Sequence, residues 1–252
     1  MRILHFPLIC CWIICLTAVP ALSQDDAPGD RDSLRPAVFL GGWGPALQSL
    51  AVPGWGQAAQ GRWWRGGVYF VGEAVLAVQA YRFWEQQYDR PDSDAPGRIY
   101  DQNLAYGLAV WYGLGALFAA GDAYYEATGK RETRPTRAAV RSVLFPGWGQ
   151  LSNGKFWKGA VIFTGQSALA FSAYLQHQRF RYNAAHGETS AADFYQNDRN
   201  RLLWWLAGSM VYSAADAFVD AHLRKWDVSE VALEPVFSPE SRSLGLGVRV
   251  SW

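Results

Sequence analysis

Past Cys15 the sequence has no cysteine: Cys10, Cys11 and Cys15 are its only three in 252 residues. A disulfide framework, a cysteine zinc site and a cysteine nucleophile are therefore excluded from the rest of the chain. An excess of charge of one sign is also lacking. The 23 basic and 22 acidic residues are interspersed and leave a formal net charge of +1. That balance removes the electrostatic case for nucleic acid as a partner and for a polybasic or acidic tail. No His-Glu-x-x-His, Gly-x-Ser-x-Gly or Gly-x-x-x-x-Gly-Lys-Ser/Thr occurs, and His5, His177, His186 and His222 are scattered. No nucleophile with a placed base can be assembled from these residues. The expectation is a protein that is not an enzyme and takes no cofactor or metal.

What is present in quantity is aromatic: 13 Trp, 12 Tyr and 13 Phe. Amphipathic rings concentrate where a protein meets the bilayer interface. The mean hydropathy of −0.09 averages apolar spans with polar connections, so the local pattern decides. Residues 1–23 read as a secretory signal peptide, with Arg2, an apolar run from Leu8 to Val19 and the small-x-small signature Ala21-Leu22-Ser23. Cys10 and Cys11 lack the small-residue context of a lipoprotein cleavage site. An uncleaved anchor is the alternative. Residues 24–44 read as a polar, flexible segment.

An internal repeat organises the remainder. Ser49 to Phe70 (SLAVPGWGQAAQGRWWRGGVYF) and Ser142 to Phe163 (SVLFPGWGQLSNGKFWKGAVIF) are identical at 11 of 22 positions with no gap. A second block, offset by one more residue, pairs Gln102-Asn103 with Gln196-Asn197, Trp111 with Trp205, Asp122-Ala123-Tyr124 with Asp216-Ala217-Phe218, and Glu126-Ala127 with Asp220-Ala221. The units run over 45–128 and 138–226, joined by a basic linker at 129–137 and followed by a tail at 227–252.

Each unit holds two apolar segments, about Trp64–Tyr81 and Leu104–Tyr125, then Phe156–Leu175 and Leu202–Leu223. Each is near the ~20 residues that cross a ~30 Å hydrocarbon core. Only helices can satisfy the backbone of such isolated segments in lipid. The expected fold is an all-α membrane protein: a tandem repeat of two helical-hairpin units, about four transmembrane helices, with short juxtamembrane half-helices (Ala46–Val52 and Ala139–Phe145) and a small C-terminal β-hairpin. A soluble helical bundle is the competing reading, since Glu73, Gln79, Gln166, Asp122 and Asp216 lie in these segments. The second helix of each unit repeats small residues every four positions, Gly115, Ala119, Ala123, Ala127 and Ser209, Ser213, Ala217, Ala221. Such a ladder allows close backbone approach, and the other unit, a second copy of the chain or an envelope protein is its expected partner.

The pentapeptides Pro53-Gly54-Trp55-Gly56-Gln57 and Pro146-Gly147-Trp148-Gly149-Gln150 cannot sit mid-helix. They read as a turn between a half-helix and a spanning helix, in preference to a ligand-binding loop. Behind them, Arg62, Trp64 and Arg65 in one copy and Lys155, Trp157 and Lys158 in the other read as interfacial anchors against the lipid bilayer.

Pro146 to Gln150, Asn153-Gly154-Lys155-Phe156-Trp157-Lys158, the stretch Gln196 to Arg201 and Asp216 to Leu223 together resemble the DUF5683 family, and Trp226-Asp227-Val228-Ser229 resembles that family's sequel. TM2-type two-helix modules are similar more loosely. The resemblance covers about Ala138 to Trp252. The first copy departs from it, with Gln60-Gly61 for Asn-Gly and Glu126-Ala127-Thr128-Gly129 for the Asp-Ala-His-Leu ending. It implies a bacterial envelope membrane protein and brings no activity.

Asp122 and Glu126, like Asp216 and Asp220, are four apart and share a helix face. If the units pack about a pseudo-two-fold axis, the four carboxylates approach one another as a cation or proton site. The plainer reading has them at a helix end, facing water or paired with Arg141, Arg199 or Arg201. Past Asp227, Val231, Leu233 and Phe237, the turn-like Ser238-Pro239-Glu240-Ser241, and Leu244, Leu246, Val248, Val250 and Trp252 suggest the hairpin. Sidedness is contradictory. A cleaved leader places the linker outside, yet Lys130, Arg131, Arg134, Arg137 and Arg141 prefer the cytoplasm, and an extra crossing at 36–55 would reverse the topology. The functional expectation is a structural or assembly component of the cell envelope, multi-pass in the inner membrane. An ion or small-solute carrier and a peripheral periplasmic bundle are the alternatives.

Overall fold

The computed structural model describes residues 41–224 and the backbone of 231–238 and 243–250. The leader, most of the 24–44 segment, Trp226 to Ser229, the turn at Pro239-Glu240-Ser241 and Trp252 lie outside the described residues.

Eight helices fall within them: α1 (Trp43–Ala51), α2 (Trp55–Ala59), α3 (Trp63–Asp89), α4 (Ala95–Thr128), α5 (Pro135–Leu144), α6 (Trp148–Ser152), α7 (Phe156–Ala185) and α8 (Thr189–Leu223). The order short, very short, long, long occurs twice. Strands β1 (Val231–Ser238) and β2 (Ser243–Val250) pair antiparallel, in register from Val231 opposite Val250 to Ser238 opposite Ser243.

The long helices exceed the apolar segments at their hairpin ends, because apolar patterning marks what is hidden from water and not where a helix stops. α3 runs on to Asp89 and ends where Pro91 would follow in helix. α4 starts at Ala95 because Asp94 caps it, its carboxylate accepting from Gly97 N at 3.1 Å. Polar side chains then tie the tips. Arg90 bridges Asp101 at 2.8 Å and Asp94 at 2.9 Å, and these hydrogen bonds hold its guanidinium above its ordinary pKa. Gln176 donates to Asp198 at 2.8 Å, and Arg179 lies over the Tyr100 ring.

Helices α3 and α4 pack as one hairpin and α7 and α8 as another, with α4 against α7 joining them. The seam is aromatic. Phe118 stacks on Phe163 with centroids 4.6 Å apart, and Tyr69 meets Phe156 edge-on. Ala119, Leu151 and Ala160 fill the space between. Gly107 gives the Phe171 ring room that a Cβ would occupy. Tyr174 reaches across to donate to Asn103 at 2.9 Å.

One expectation is corrected and two are filled in. The half-helices lie slightly upstream of their expected positions, at Trp43–Ala51 and Pro135–Leu144. The basic linker at 129–137 is anchored. Glu132 is buried, accepts from Thr133 N and Arg134 N, and pairs with Arg141 at 2.8 Å, while α5 already begins at Pro135. Finally, the small-residue ladder is covered within its own unit. α1 lies on α4 and α5 on α8, so Ala119, Ala123, Ser213 and Ala217 are wholly buried. A short helix seats Ala138 and Ser142 there because nothing bulkier fits between two backbones so close.

Candidate functional site

Each pentapeptide begins with a turn that only glycine makes cheaply. Gly54 has φ +93° and Gly147 φ +73°, in the left-handed region. The turn also presses on the start of the following long helix: a Cβ on Gly54 would collide with the Gly66 carbonyl, and one on Gly147 with the Gly159 carbonyl. Gly56 and Gly149 serve a second close approach, with Pro45 O and Ser49 Oγ against the first and Ala138 O and Ser142 Oγ against the second. The two glycines thus let the short helix, the turn and the long helix converge.

The glutamine that follows is the centre of the arrangement. In the first copy Gln57 Oε1 accepts from Ser49 Oγ at 2.7 Å, and Gln57 Nε2 donates to Ala119 O at 2.7 Å and Asp122 Oδ2 at 3.2 Å. In the second, Gln150 Oε1 accepts from Ser142 Oγ at 2.8 Å, and Gln150 Nε2 donates to Ser213 O at 2.9 Å and Asp216 Oδ2 at 3.1 Å. Both amides are almost wholly buried. Three residues on, Gln60 Nε2 donates to Ala123 O and Asn153 Nδ2 to Ala217 O. Each pentapeptide therefore bolts its short helix to the second long helix of its own hairpin. Buried amides in this position are stabilising only when satisfied.

Around each bolt lies an ion-pair cluster. Arg62 bridges Glu126 at 2.6 Å, and Arg65 approaches Glu126 at 3.5 Å and Asp122 at 3.6 Å. Lys158 bridges Asp216 at 2.9 Å and Asp220 at 3.0 Å. The clusters differ in setting. Arg65 is also covered by the Phe156 and Trp64 rings, 4.5 and 5.3 Å from its guanidinium carbon, at the seam between hairpins. Lys158 is about half exposed. Replacing Arg65 by Met should cost about 3 kcal/mol, since it leaves buried Asp122 with Gln57 but no cation, and Glu126 with Arg62 and Arg131. The thermal unfolding midpoint of purified protein measures this, and Lys158→Met should shift it far less because water reaches that cluster.

These positions give the expected anchors and carboxylates their partners. Arg62, Arg65 and Lys158 turn onto carboxylates of their own unit, and Trp64 stacks on Trp157 at 5.4 Å within the seam. Lys155 stays exposed. Trp55 is exposed as well, whereas Trp148 donates to Tyr125 OH at 2.9 Å. Nor do the four carboxylates converge. Among the described residues no group of three or more His, Cys, Asp or Glu is arranged to hold a metal. Each acid pair is met by its own unit's cations, while Arg141 and Arg201 go to Glu132 and Asp198. The cavity beside Arg65, Asp122 and Glu126 measures about 10 Å³, room for one water and not for a hydrated cation. Sequence reasoning missed Ser49 and Ser142 and the bolting role of the glutamines. The signal was there: serine and glutamine recur eight apart in both copies.

Residues 131–190 match the model of a family of unknown function, DUF5683, the family that the motifs resemble. The matched stretch contains Pro146 to Gln150 and Asn153 to Lys158. It stops short of Gln196 to Arg201 and Asp216 to Leu223. No curated protein and no solved structure matches the chain.

Proposed function

We propose that this is a non-enzymatic, multi-pass integral membrane protein of the bacterial cell envelope, seated in the inner membrane, whose four long helices cross the bilayer and whose role is structural or in assembly. The observation that carries the proposal is α8. It is long and apolar enough to cross a membrane, as is α4, yet only 11% of its apolar window is buried, against 44% for α4. A core helix of a soluble bundle hides such a face. Here Trp204, Trp205, Val211, Tyr212 and Val219 are all exposed, a patch far beyond what water tolerates singly.

The other long helices fit the same bilayer. Residues 159–178 of α7 and 102–121 of α4 are each 20 positions without Asp, Glu, Lys or Arg, about 30 Å of helix. In α3 the corresponding stretch 66–81 holds one charged residue, Glu73. It is buried against Gly115, while Phe70, Val71, Val75 and Val78 face outward. Exposed Trp63 and Trp84 mark the two ends of α3. They are 21 residues apart, about 32 Å along the axis, the separation of two aromatic belts. The first unit's ion-pair cluster sits just beyond these windows, at the bundle end that carries the short helices; in α8 the charge-free run is 202–215, and Asp216, which follows it, is paired with Lys158. Cations and acids are paired in both clusters, which favours a structural assignment over solute carriage.

The direct test is carbonate washing of membranes from cells making the full chain. Retention in the pellet is expected; release to the supernatant would return the protein to the peripheral bundle class. Because the sequence has no cysteine past Cys15, single cysteines placed at Lys130 and Asp92 can be labelled from either side. They should react from opposite faces.

A further inference from the structure

We propose that α5 carries a binding groove for the headgroup of an anionic phospholipid, with Arg137 as the phosphate-facing cation, an inference that rests on the membrane reading above. A shallow, open and largely apolar groove of about 340 Å³ is lined by Thr136, Arg137, Val140, Arg141, Leu144 and Trp148. Its geometry follows from the packing of α5. Ala138 and Ser142 are buried on α8, which leaves 137, 140, 141 and 144 as a single stripe on the other side. The stripe alternates two chemistries: Val140 and Leu144 are exposed and apolar, and Arg137 and Arg141 are cationic. Arg141 is held along the wall by Glu132 at 2.8 Å and lies over the Trp148 ring at 5.8 Å. Arg137 is exposed.

The first copy shows that a short helix packs in this way without Arg137, whereas Arg141 also serves buried Glu132. With the repeat offset of 93, the stripe 137, 140, 141, 144, 148 corresponds to Gly44, Leu47, Gln48, Ala51 and Trp55. α1 packs on α4 as α5 packs on α8, with the same Ser-to-Gln bolt, yet residues 41–61 contain no charged side chain. The apolar positions and the tryptophan are common to both copies, and the cations belong to the second alone. Lys130, Arg134 and Lys155 are exposed as well. A groove with cations beside exposed Val140 and Leu144, at the end of the apolar band, complements a phosphate with an acyl chain attached. It does not complement a free anion, which has no use for the apolar half, or a neutral headgroup, which has none for the arginines.

The experiment is native mass spectrometry of the full chain in detergent, titrated with phosphatidylglycerol or phosphatidylcholine of equal chain length. Phosphatidylglycerol should bind more tightly, and Arg137→Gln should weaken it about fivefold, the scale of one basic side chain at an anionic surface, with phosphatidylcholine unchanged. Leu144→Ser should weaken both lipids. Equal affinity of the two lipids, or a preference unaltered in R137Q, overturns the proposal. Displacement of the bound lipid by millimolar inorganic phosphate overturns it too, by making the groove a simple anion site. Carbonate retention together with no effect of R137Q would refute this inference while leaving the membrane reading intact.

Discussion

Replacing Gly147 by alanine should abolish the native state or lower its thermal unfolding midpoint by roughly 10 °C or more. Two effects act together at this position. The left-handed backbone at φ +73° costs a residue with a Cβ about 1–2 kcal/mol. The Cβ would also collide with the Gly159 carbonyl, which is backbone at the head of α7 and moves only if that helix moves. Together these reach about 4 kcal/mol, a large share of the 5–15 kcal/mol that a domain commonly has. Gly61→Ala separates the effects. Gly61 has φ +78° with nothing within 4 Å of a built Cβ, so it should show the backbone cost alone. A G147A protein that unfolds within about 2 °C of G61A would mean that the turn does not press on the helix. Circular dichroism of detergent-purified protein reads both.

Gln150→Leu is the second large effect. The amide is wholly buried, and its loss leaves the Ser142 hydroxyl and one oxygen of Asp216 without the partner it supplies and takes from the Ser213 carbonyl the bond it accepts beyond its helical one. Each stranded group costs on the order of 1 kcal/mol or more, so the total should be about 3 kcal/mol. Ser142→Ala should cost less, because it takes a donor from Gln150 Oε1 and an acceptor from Ser213 Oγ but leaves both Gln150 Nε2 bonds in place. The double variant should be less destabilised than the sum of the two, because both remove the same bond. Strict additivity would show that serine and glutamine are not coupled and that the short helix is held by its apolar face alone. Gln57→Leu should repeat the result in the first unit, where the same three partners are Ser49, Ala119 and Asp122.

The two units use equivalent residues unequally, and this bears on function. Arg65 and Lys158 occupy matching positions, but Arg65 is enclosed by rings from both hairpins and Lys158 faces outward. The difference arises because α4 is flanked by α7 of the other hairpin, whereas among the described residues α8 packs mainly on α5, α6 and α7 of its own unit. Packing of the hairpins therefore buries the first unit's cluster and leaves the second's at the surface. The same asymmetry leaves the apolar face of α8 uncovered. In the membrane reading, that face meets lipid.

Local patterning was enough for the helical class, the approximate course of the long helices and the turn at each pentapeptide. Proline and two glycines within four residues forbid a continuing helix, and long apolar runs without proline permit one, wherever the segment ends up. Contacts between segments distant in the chain were not legible in that way. Nothing in the spacing of Asp122 and Glu126 says that Arg62 and Arg65 will reach them, because that depends on how α3 is rotated against α4. The ladder of small residues announced a close approach but not its occupant. α1 and α5 take it because the glycine turn folds each short helix back onto its own hairpin before another chain can reach the groove. The pentapeptide's glycines were readable as a turn from one dimension. Its glutamine became a bolt only in three, since a buried amide acquires its role from partners more than 60 residues away.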